Sequence, residues 1–436
     1  MRQLARPKIA VYVLGCKVNR TEAEAILKLF EDAGYQRVDF SEKADVYVIH
    51  TCTVTGESDR KSRRAVRKAL RTNPHAKVAV TGCYVQTSPG EVLGIPGVHL
   101  MVGTGDLNRI VDLVRDSGGS LPVQEIKELH DIKSFEDLPP ASSDRTRAFL
   151  KVQDGCQQFC SYCIIPYARG PLRSRRPEDS LESIRHFVQR GYHEIVLTGI
   201  RLGAYGVDLR PRSSLAELLR EACRTPGLKR MRISSVDPHD FTPELIEVIT
   251  SKENICPHFH IPLQSGDDTV LESMGRKYSV KEYAHLIDSI RAGRPGAALT
   301  TDVMVGFPGE TRDQFAATKN CVKSIQFMDV HVFKYSPRKG TPAAGFSGQV
   351  SGPEKTRRSS ELQEMAASLY AAYAEGYLGK TLEILVEQRD EQGFWEGHAP
   401  NYLRTKLPGQ GDLRGEIVSV EVTSIGNKFV WGRGHV

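Results

Sequence analysis

The first part of the chain alternates short apolar runs with stretches of helical periodicity. Apolar, β-branched runs occupy residues 9–14, 46–49 and 78–80, and helical patterns begin near Asn19, Glu57 and Asp106. Such alternation is typical of βα units, whose strands lie side by side in a parallel sheet. We therefore predict an α/β domain with a mostly parallel sheet over residues 1–117.

The middle of the chain continues the alternation through six further apolar runs, at 149–152, 194–198, 230–235, 258–263, 299–304 and 328–333. With helical stretches between them, six βα units predict a partial barrel over residues 148–370. Residues 118–147 hold no period for long and contain Gly-Gly-Ser and Leu-Pro-Pro, so we interpret them as a connector.

The end of the chain is rich in predicted strands. A helical pattern over 354–378 leads to apolar runs at 381–387, 394–397, 415–422 and 428–431, with glycine-containing turns between them. Short strands in this arrangement predict a small β-barrel over residues 371–436.

Composition excludes several classes of protein. The 436 residues contain no apolar stretch of the roughly 18 residues that a membrane span needs, and the polar start lacks a signal-peptide core. Nine cysteines are too few for a disulfide scaffold of this length. We therefore expect a cytoplasmic protein, with no membrane partner, whose thiols are free or bind metal. The net charge of +6 permits a polyanionic partner without requiring one.

Three cysteines follow the three predicted strands of the first domain. Cys16, Cys52 and Cys83 each come within a few residues of a strand end. Because the carboxyl ends of parallel strands meet at one edge of a sheet, we expect the three thiols to converge there. Three thiolates suit three irons of a cubane cluster. Buried free thiols and a three-cysteine zinc site remain alternatives.

A second trio follows the first predicted barrel strand. Cys156, Cys160 and Cys163 have the spacing Cys-x3-Cys-x2-Cys, and no fourth cysteine or histidine follows nearby. Zinc loops more often use paired Cys-x2-Cys or cysteine–histidine combinations. The spacing therefore favours three corners of a [4Fe–4S] cube with one open iron, and zinc is the weaker alternative. Cys223, Cys256 and Cys321 lack either spacing, and we expect no role for them.

The second trio resembles that of the radical SAM superfamily. In that superfamily the open iron binds S-adenosylmethionine, and reduction cleaves the cofactor to a 5′-deoxyadenosyl radical. The resemblance implies an open (β/α)6 barrel whose active face lies at the carboxyl ends of the strands. Polar residues cluster at those ends: Thr198, Ser234, Ser235, Asp237, Gln264, Ser265 and Asp302. We select Thr198, Ser235, Gln264 and Asp302 as the cofactor-binding candidates.

The whole chain, from residue 8 to the end, resembles the radical SAM methylthiotransferases. The resemblance rests on the two trios, on the β-rich tail, which is similar to a TRAM domain, and on the long motifs at 260–266, 274–278 and 302–311. It implies two [4Fe–4S] clusters, one on each trio, with S-adenosylmethionine at the second. Hydrogen-atom abstraction needs no acid–base pair, so we nominate no catalytic residue.

Within that family the motifs at 14–19, 196–200 and 340–342 are similar to those of the MtaB subgroup. That subgroup converts N6-threonylcarbamoyladenosine at position 37 of tRNA into its 2-methylthio derivative. The alternatives are methylthiolation of isopentenyladenosine-37 or of a ribosomal-protein aspartate, and, outside enzymes, a zinc-stabilised RNA-binding protein. The resemblance implies the tRNA anticodon loop and a low-potential electron donor, such as flavodoxin or ferredoxin, as partners.

Two groups of basic residues are candidates for phosphate contacts. Arg60, Arg63, Arg64, Arg67, Lys68 and Arg71 form one stripe of a predicted helix, for which we expect no acidic partners in register. Arg173, Arg175 and Arg176 follow the second trio closely. In the tail, net charge does not favour RNA, so contact there would depend on aromatic residues such as Tyr402.

Overall fold

The computed structural model describes residues 6–119, 121–140 and 146–434. Residues 1–5, 120, 141–145 and 435–436, which include the polar start and part of the predicted connector, lie outside the described residues. No helix among the described residues is long and apolar enough to cross a membrane.

The first domain is a six-stranded sheet in which every neighbouring pair is parallel, as predicted, in the order β2-β1-β3-β4-β5-β6. The strands are β1 Lys8–Val13, β2 Gln36–Arg37, β3 Val46–Thr51, β4 Lys77–Gly82, β5 Leu100–Val102 and β6 Val123–Glu125. The helices are α1 Lys17–Asp32, α2 Gly56–Thr72, α3 Cys83–Thr87, α4 Pro89–Leu93 and α5 Ile110–Asp116. A 3₁₀ turn, Leu107–Arg109, precedes α5 where the sequence predicted a helix start near Asp106.

The apolar runs are continuous because helices cover both faces of this sheet. Along β3, Val48 packs with Phe30 of α1, whereas Tyr47 and Ile49 pack with Val66 of α2 on the other face. Successive residues of a strand point to opposite faces, so a doubly covered strand must be apolar throughout.

The predicted connector contains a strand that the sequence did not indicate. Val123–Glu125 pairs in parallel with β5 and becomes the edge strand of the sheet. The expectation of no regular element in 118–147 is therefore wrong at residues 123–125. The domain boundaries themselves stay a prediction.

The second unit has the six predicted barrel strands in sequence order. Its strands are β7 Arg147–Asp154, β8 Arg173–Ser174, β9 Glu194–Gly199, β10 Arg230–Ile233, β11 His258–His260, β12 Ala298–Val305 and β13 Asp329–Lys334. Its helices are α6 Ile165–Arg169, α7 Pro177–Gln189, α8 Leu215–Ala222, α9 Pro243–Ser251, α10 Asp268–Ser273, α11 Val280–Gly293 and α12 Arg312–Ile325.

These six strands form an incomplete barrel. Strands β7, β9 and β10 pair in parallel, as do β11, β12 and β13, and a bridge between Met231 and Ile255 joins the two groups. The short β8 lies antiparallel on the outer side of β7. Among the described residues β7 and β13 do not pair, so the barrel is open between its first and last strands.

The tail is a closed five-stranded barrel in the order β14-β15-β16-β18-β17. Helix α13 Gly352–Glu375 leads to β14 Thr381–Arg389, β15 Trp395–His398, β16 Arg404–Leu407, β17 Ile417–Gly426 and β18 Phe429–Gly434. Helix α13 packs on the large barrel through Leu362 and Ala366, and on the small one through Tyr370 and Ala374. The predicted small β-barrel is confirmed, although the sequence missed β16.

Candidate functional site

The three cysteines of the first domain stand at the carboxyl edge of its sheet. Cys16 caps α1, Cys52 follows β3 directly, and Cys83 is the first residue of α3. A close approach brings the first two together, because a Cβ placed on Gly15 would lie 3.0 Å from the Sγ of Cys52. Gly15 also has φ +103°, which disfavours any other residue there.

Burial opposes the ionisation of two of these thiols, Cys52 and Cys83. It raises the pKa of Cys83 to about 12 and also raises the pKa of Cys52. The guanidinium of Arg169 opposes this effect at Cys83, since its Nε donates a hydrogen bond to that Sγ at 3.3 Å. A metal centre needs thiolates, so its binding here would displace protons from buried thiols.

The second trio lies on the loop between β7 and α6. Its backbone is fixed by two hydrogen bonds, from the N–H of Cys156 to the carbonyl of Gly170 and from the N–H of Cys163 to the carbonyl of Cys160, both 2.9 Å. Burial raises the pKa of Cys163 to about 12. Arg276 donates a hydrogen bond from Nη1 to the Sγ of Cys160 at 3.4 Å. Each trio therefore has one arginine that stabilises negative charge on a sulfur.

The spacing of the sulfur atoms separates a mononuclear site from a cluster. Tetrahedral zinc with Zn–S bonds of about 2.3 Å holds its sulfurs about 3.8 Å apart. Among the described residues, the one group of three His, Cys, Asp or Glu side chains with ligand atoms all within 4.8 Å is His260, Asp302 and His331. In each cysteine trio at least one pair of sulfur atoms is therefore more than 4.8 Å apart, which is wider than a single zinc ion holds them. A cubane, whose three thiolate ligands lie on three different irons, accommodates this wider separation.

One cavity of about 700 Å³ reaches both trios. All three cysteines of the second trio line it, and so does Cys16 of the first. Its wall also includes two aromatic side chains that are half exposed, Phe159 and Phe333. A volume of this size suits a cofactor together with part of a substrate.

The four candidate cofactor-binding residues, Thr198, Ser235, Gln264 and Asp302, all line this cavity. Ser234 and Asp237 line it as well, and the buried Oγ of Ser234 has no hydrogen-bond partner among the described residues. Ser265 is different, because it is fully buried with its Oγ near Thr318 and is not part of the wall. The expectation that Ser265 belongs to the active face is therefore wrong.

Asp302 is held by two histidines. Its Oδ1 lies 3.2 Å from the Nε2 of His260 and 3.2 Å from the Nδ1 of His331. Burial alone would raise the pKa of Asp302, but these two hydrogen bonds bring it well below the ordinary range. A carboxylate fixed in this way is a ready acceptor for hydroxyl or ammonium groups of a ligand.

A buried ion network joins the two trios. The fully buried Arg169 lies on α6, six residues after Cys163, and its Nη1 donates to Oε1 of Glu22 on α1 at 2.6 Å. Lys151 donates to Glu22 and to Asp154, each at 2.6 Å. Charges as deeply buried as these are tolerated only when they are paired. The network therefore fixes the first domain on the barrel while Arg169 contacts Cys83.

Two of the three basic residues after the second trio do not face solvent. Arg173 is buried beside Asp154, and the buried Arg175 pairs with Asp137 at 2.9 Å. The prediction that these two contact phosphates is wrong, because their guanidinium groups are engaged within the fold. Arg176 is exposed and pairs with Asp179.

The stripe on α2 is largely exposed, but the expectation that it lacks acidic partners is wrong at two positions. Arg60 pairs with Glu57, and Arg63 lies 3.7 Å from Glu91. Its other members form no ion pair among the described residues. Together with neighbouring residues they line a concave surface of about 530 Å³: Lys61, Arg64, Arg67, Lys68 and Arg71, with Tyr12 and Phe40.

Tyr402 lies at the seam between the large barrel and the tail. Its ring stacks with His258 at 4.5 Å and with His398 at 4.7 Å between ring centroids, and the guanidinium of Arg232 lies 4.7 Å away. These contacts occupy the ring, so the suggestion that Tyr402 stacks on RNA is wrong.

Sequence reasoning missed Arg169 and Arg276 as donors to the cysteines, and His260 and His331 as partners of Asp302. A weak signal existed for two of them, since Arg276 and His260 lie within the motifs at 274–278 and 260–266. Cys223, Cys256 and Cys321 are not among the residues that line the cavity.

Two family models match the chain. Residues 8–103 match the uncharacterized protein family UPF0004, and residues 150–322 match the radical SAM superfamily. The first match covers the sheet that carries the first trio, and the second covers most of the large barrel.

Relatives with assigned names are similar over nearly the whole length. The threonylcarbamoyladenosine tRNA methylthiotransferase MtaB of Bacillus subtilis is 44% identical over 98% of this chain and 96% of its own. The protein of that name from Thermotoga maritima is 36% identical over 97% of this chain and 96% of its own. The tRNA-2-methylthio-N(6)-dimethylallyladenosine synthase of Moorella thermoacetica is 36% identical over 96% of each.

Solved structures agree in fold. The radical S-adenosylmethionine methyltransferase TsrM from Kitasatospora setae, with cobalamin and a [4Fe–4S] cluster bound, superposes with a TM-score of 0.58 at 15% identity, over 78% of this chain and 77% of that one. The cobalamin-dependent radical enzyme OxsB gives a TM-score of 0.52 over 78% of this chain and 54% of that one. At such identities the likeness concerns the fold alone.

Proposed function

The chain belongs to the radical SAM methylthiotransferases, and we propose that it converts N6-threonylcarbamoyladenosine at position 37 of tRNA into its 2-methylthio derivative. The observation that carries the reaction type is the single cavity lined by Cys16 and by all of the second trio. The names of the Bacillus and Thermotoga relatives support the choice of substrate.

Enzymes of this family use S-adenosylmethionine and two [4Fe–4S] clusters. We propose that Cys156, Cys160 and Cys163 hold the cluster that binds S-adenosylmethionine, and that Cys16, Cys52 and Cys83 hold the auxiliary one. When bound, these groups supply the radical and the sulfur that replace an aromatic C–H bond by a C–S bond. The wide sulfur spacing, the close approach at Gly15 and the arginine donors to Cys83 and Cys160 fit this assignment.

Other residues of the wall bind and orient the ligands. Thr198, Ser235, Gln264 and Asp302 are proposed to bind polar groups of S-adenosylmethionine, and the unpartnered hydroxyl of Ser234 is available to the same ligand. Phe159 and Phe333 offer exposed rings on which an adenine that has left the anticodon stack can pack. A bound cofactor and base would displace water from this open cavity and so shield reactive intermediates.

The exposed cations of α2 are proposed to bind the phosphates of tRNA. A tRNA substrate places the reaction in the cytoplasm. Reductive cleavage of S-adenosylmethionine requires a low-potential electron donor, for which a flavodoxin or ferredoxin is the expected class.

Mass spectrometry of tRNA nucleosides from a strain that lacks the gene tests the proposal. We expect 2-methylthio-N6-threonylcarbamoyladenosine to disappear, the unmodified precursor to accumulate, and the wild-type gene to restore the product. Loss of 2-methylthio-isopentenyladenosine instead would indicate the dimethylallyl substrate. If every tRNA nucleoside is unchanged, the tRNA assignment is wrong, and a ribosomal-protein target or a zinc-stabilised RNA-binding protein must be considered.

A further inference from the structure

Most basic side chains of the cavity already have acidic partners. Arg201 pairs with Asp240, its Nε lying 2.9 Å from Oδ2, and Arg276 pairs with Asp237. Asp302 similarly satisfies His260 and His331, as described above. None of these four groups is free to pair with an anionic ligand without breaking an existing pair.

Lys17 and Arg20 are the exceptions. Both line the cavity, and among the described residues neither side chain forms an ion pair or a hydrogen bond with an acidic group. They lie three positions apart in the first turns of α1, so they share one face of that helix. In the sequence Lys17 directly follows Cys16, one of the proposed cluster ligands. Burial lowers the pKa of Lys17, and the nearby Tyr402 and Asp302 oppose this effect.

The proposed substrate carries a complementary negative charge. N6-threonylcarbamoyladenosine bears a carboxylate on its N6 arm, whereas the dimethylallyl arm of the related substrate is a hydrocarbon. A carboxylate that enters an enclosed cavity loses hydration and needs a cationic partner. Two unpaired cations in the same wall contribute no binding free energy to a hydrocarbon arm.

We propose that Lys17, with Arg20 beside it, binds the carboxylate of the threonyl arm and thereby selects threonylcarbamoyladenosine over adenosines with uncharged N6 groups. This inference rests on the proposed function and identifies residues that determine its substrate specificity. Both residues are positioning and specificity residues, since they contact a part of the substrate that does not react.

The test compares two anticodon stem-loop RNAs, one with N6-threonylcarbamoyladenosine and one with its carboxyl methyl ester. Affinity of the cluster-loaded protein for each RNA is measured anaerobically by fluorescence anisotropy, and methylthiolation is measured in parallel. We expect Lys17→Met to weaken binding of the acid by about tenfold or more, as loss of a hydrogen bond to a charged group does, and to weaken binding of the uncharged ester far less. Arg20→Met should act in the same direction, and Lys17→Arg should retain the preference for the acid.

Lys28→Met is the matched control, because Lys28 lies on the same helix and pairs with Asp32 outside the cavity. Iron content of each variant shows whether the neighbouring Cys16 still binds its cluster. Equal binding of acid and ester by the wild type, or equal loss of both in Lys17→Met with iron retained, would overturn the inference. If the wild type binds the acid RNA but forms no methylthio product, the proposed function fails. If Lys17→Met still binds the acid RNA more tightly than the ester RNA, to the same degree as the wild type, the inference alone is refuted.

Discussion

Arg169 is the residue that most directly connects the two cysteine trios. It follows the second trio by six residues, yet its guanidinium donates to Cys83 of the first trio and to Glu22 and Asn19 of α1. Its five donors and planar shape suit several acceptors at once, which a lysine cannot match. The side chain therefore contributes both to domain docking and to the charge on a proposed cluster ligand.

Replacing Arg169 with Met should destabilise the protein strongly. Glu22 and Asp154 would remain buried with Lys151 as their principal cation, and breaking a buried pair in this way costs about 3–5 kcal/mol. Thermal denaturation should show a fall of more than about 5 °C in Tm. Arg190→Met, at an exposed arginine that follows α7, should change Tm by far less; comparable falls in both variants would show that the network adds little.

Glu136 gives the protein a pH-dependent stability. Burial raises its pKa to about 7, although the N–H of Asn108 donates a hydrogen bond to its carboxylate. A carboxyl group whose pKa is raised on folding favours the folded state below its unfolded pKa, near 4.5, and that contribution is lost as the pH rises through 7.

Glu136→Gln should therefore be the more stable protein at pH 8, by about 1–2 kcal/mol, and should lose this advantage near pH 5. Urea denaturation of both proteins at the two pH values measures the difference. An advantage that is the same at pH 5 and pH 8 would mean that Glu136 ionises normally in the folded protein.

Single residues also show what the sequence could and could not predict. The cysteines were predictable because thiols that follow successive parallel strands must meet at one edge. Arg169 was not, because its main partner Glu22 is 147 positions away and nothing in the local pattern joins them. Arg173 and Arg175 look like the exposed cations of α2 in sequence, and only the fold reveals that they are buried.

Among the elements, long and periodic segments were predicted well. Helices α1, α2 and α13 and the long strands begin within a few residues of the predicted positions. The strands that were missed, which are β2, β5, β6, β8 and β16, have two to four residues. So few positions display a clear pattern only when an apolar run extends beyond the strand, as it does at β11. The missed segments are strands because they form backbone hydrogen bonds with neighbouring strands. Their own sequence does not indicate that pairing.

Helix α2 is the element that we expect to bind tRNA. Replacing Arg64, Arg67 and Arg71 with Ala removes three exposed cations that form no ion pair within the described part of the chain, and leaves Arg63, which donates to Tyr84, in place. Affinity for tRNA should fall, and the slope of log affinity against log salt should flatten by about two to three. Filter binding over a series of salt concentrations measures both quantities.

A charge-matched control for α2 is available on the barrel. Lys229, Lys281 and Lys323 are exposed, and replacing all three with Ala removes the same charge elsewhere. This control should keep the wild-type slope. An equal change in both triple variants would show that only net charge matters, and an unchanged slope in the α2 variant would show that α2 does not contact phosphate.

The whole molecule brings two units around one cavity, and the third unit, the tail, packs on the large barrel. The first domain supplies Cys16, Lys17 and Arg20, and the large barrel supplies the second trio and most of the remaining wall. The tail packs on the barrel through Tyr402, with Arg147 paired to Glu387 at 2.9 Å. Six βα units and a β-rich tail were predictable from their patterns, whereas this arrangement depends on buried ion pairs between distant segments.

The central claim is that each trio holds its own [4Fe–4S] cluster. The most direct test is anaerobic analysis of iron, acid-labile sulfide and zinc in the reconstituted protein. We expect about eight irons per chain, and about four in each of two variants, one with Cys16, Cys52 and Cys83 changed to Ala and one with Cys156, Cys160 and Cys163 changed to Ala. Stoichiometric zinc in place of iron, or about four irons in the wild type with no further loss in one of the triple variants, would contradict the account.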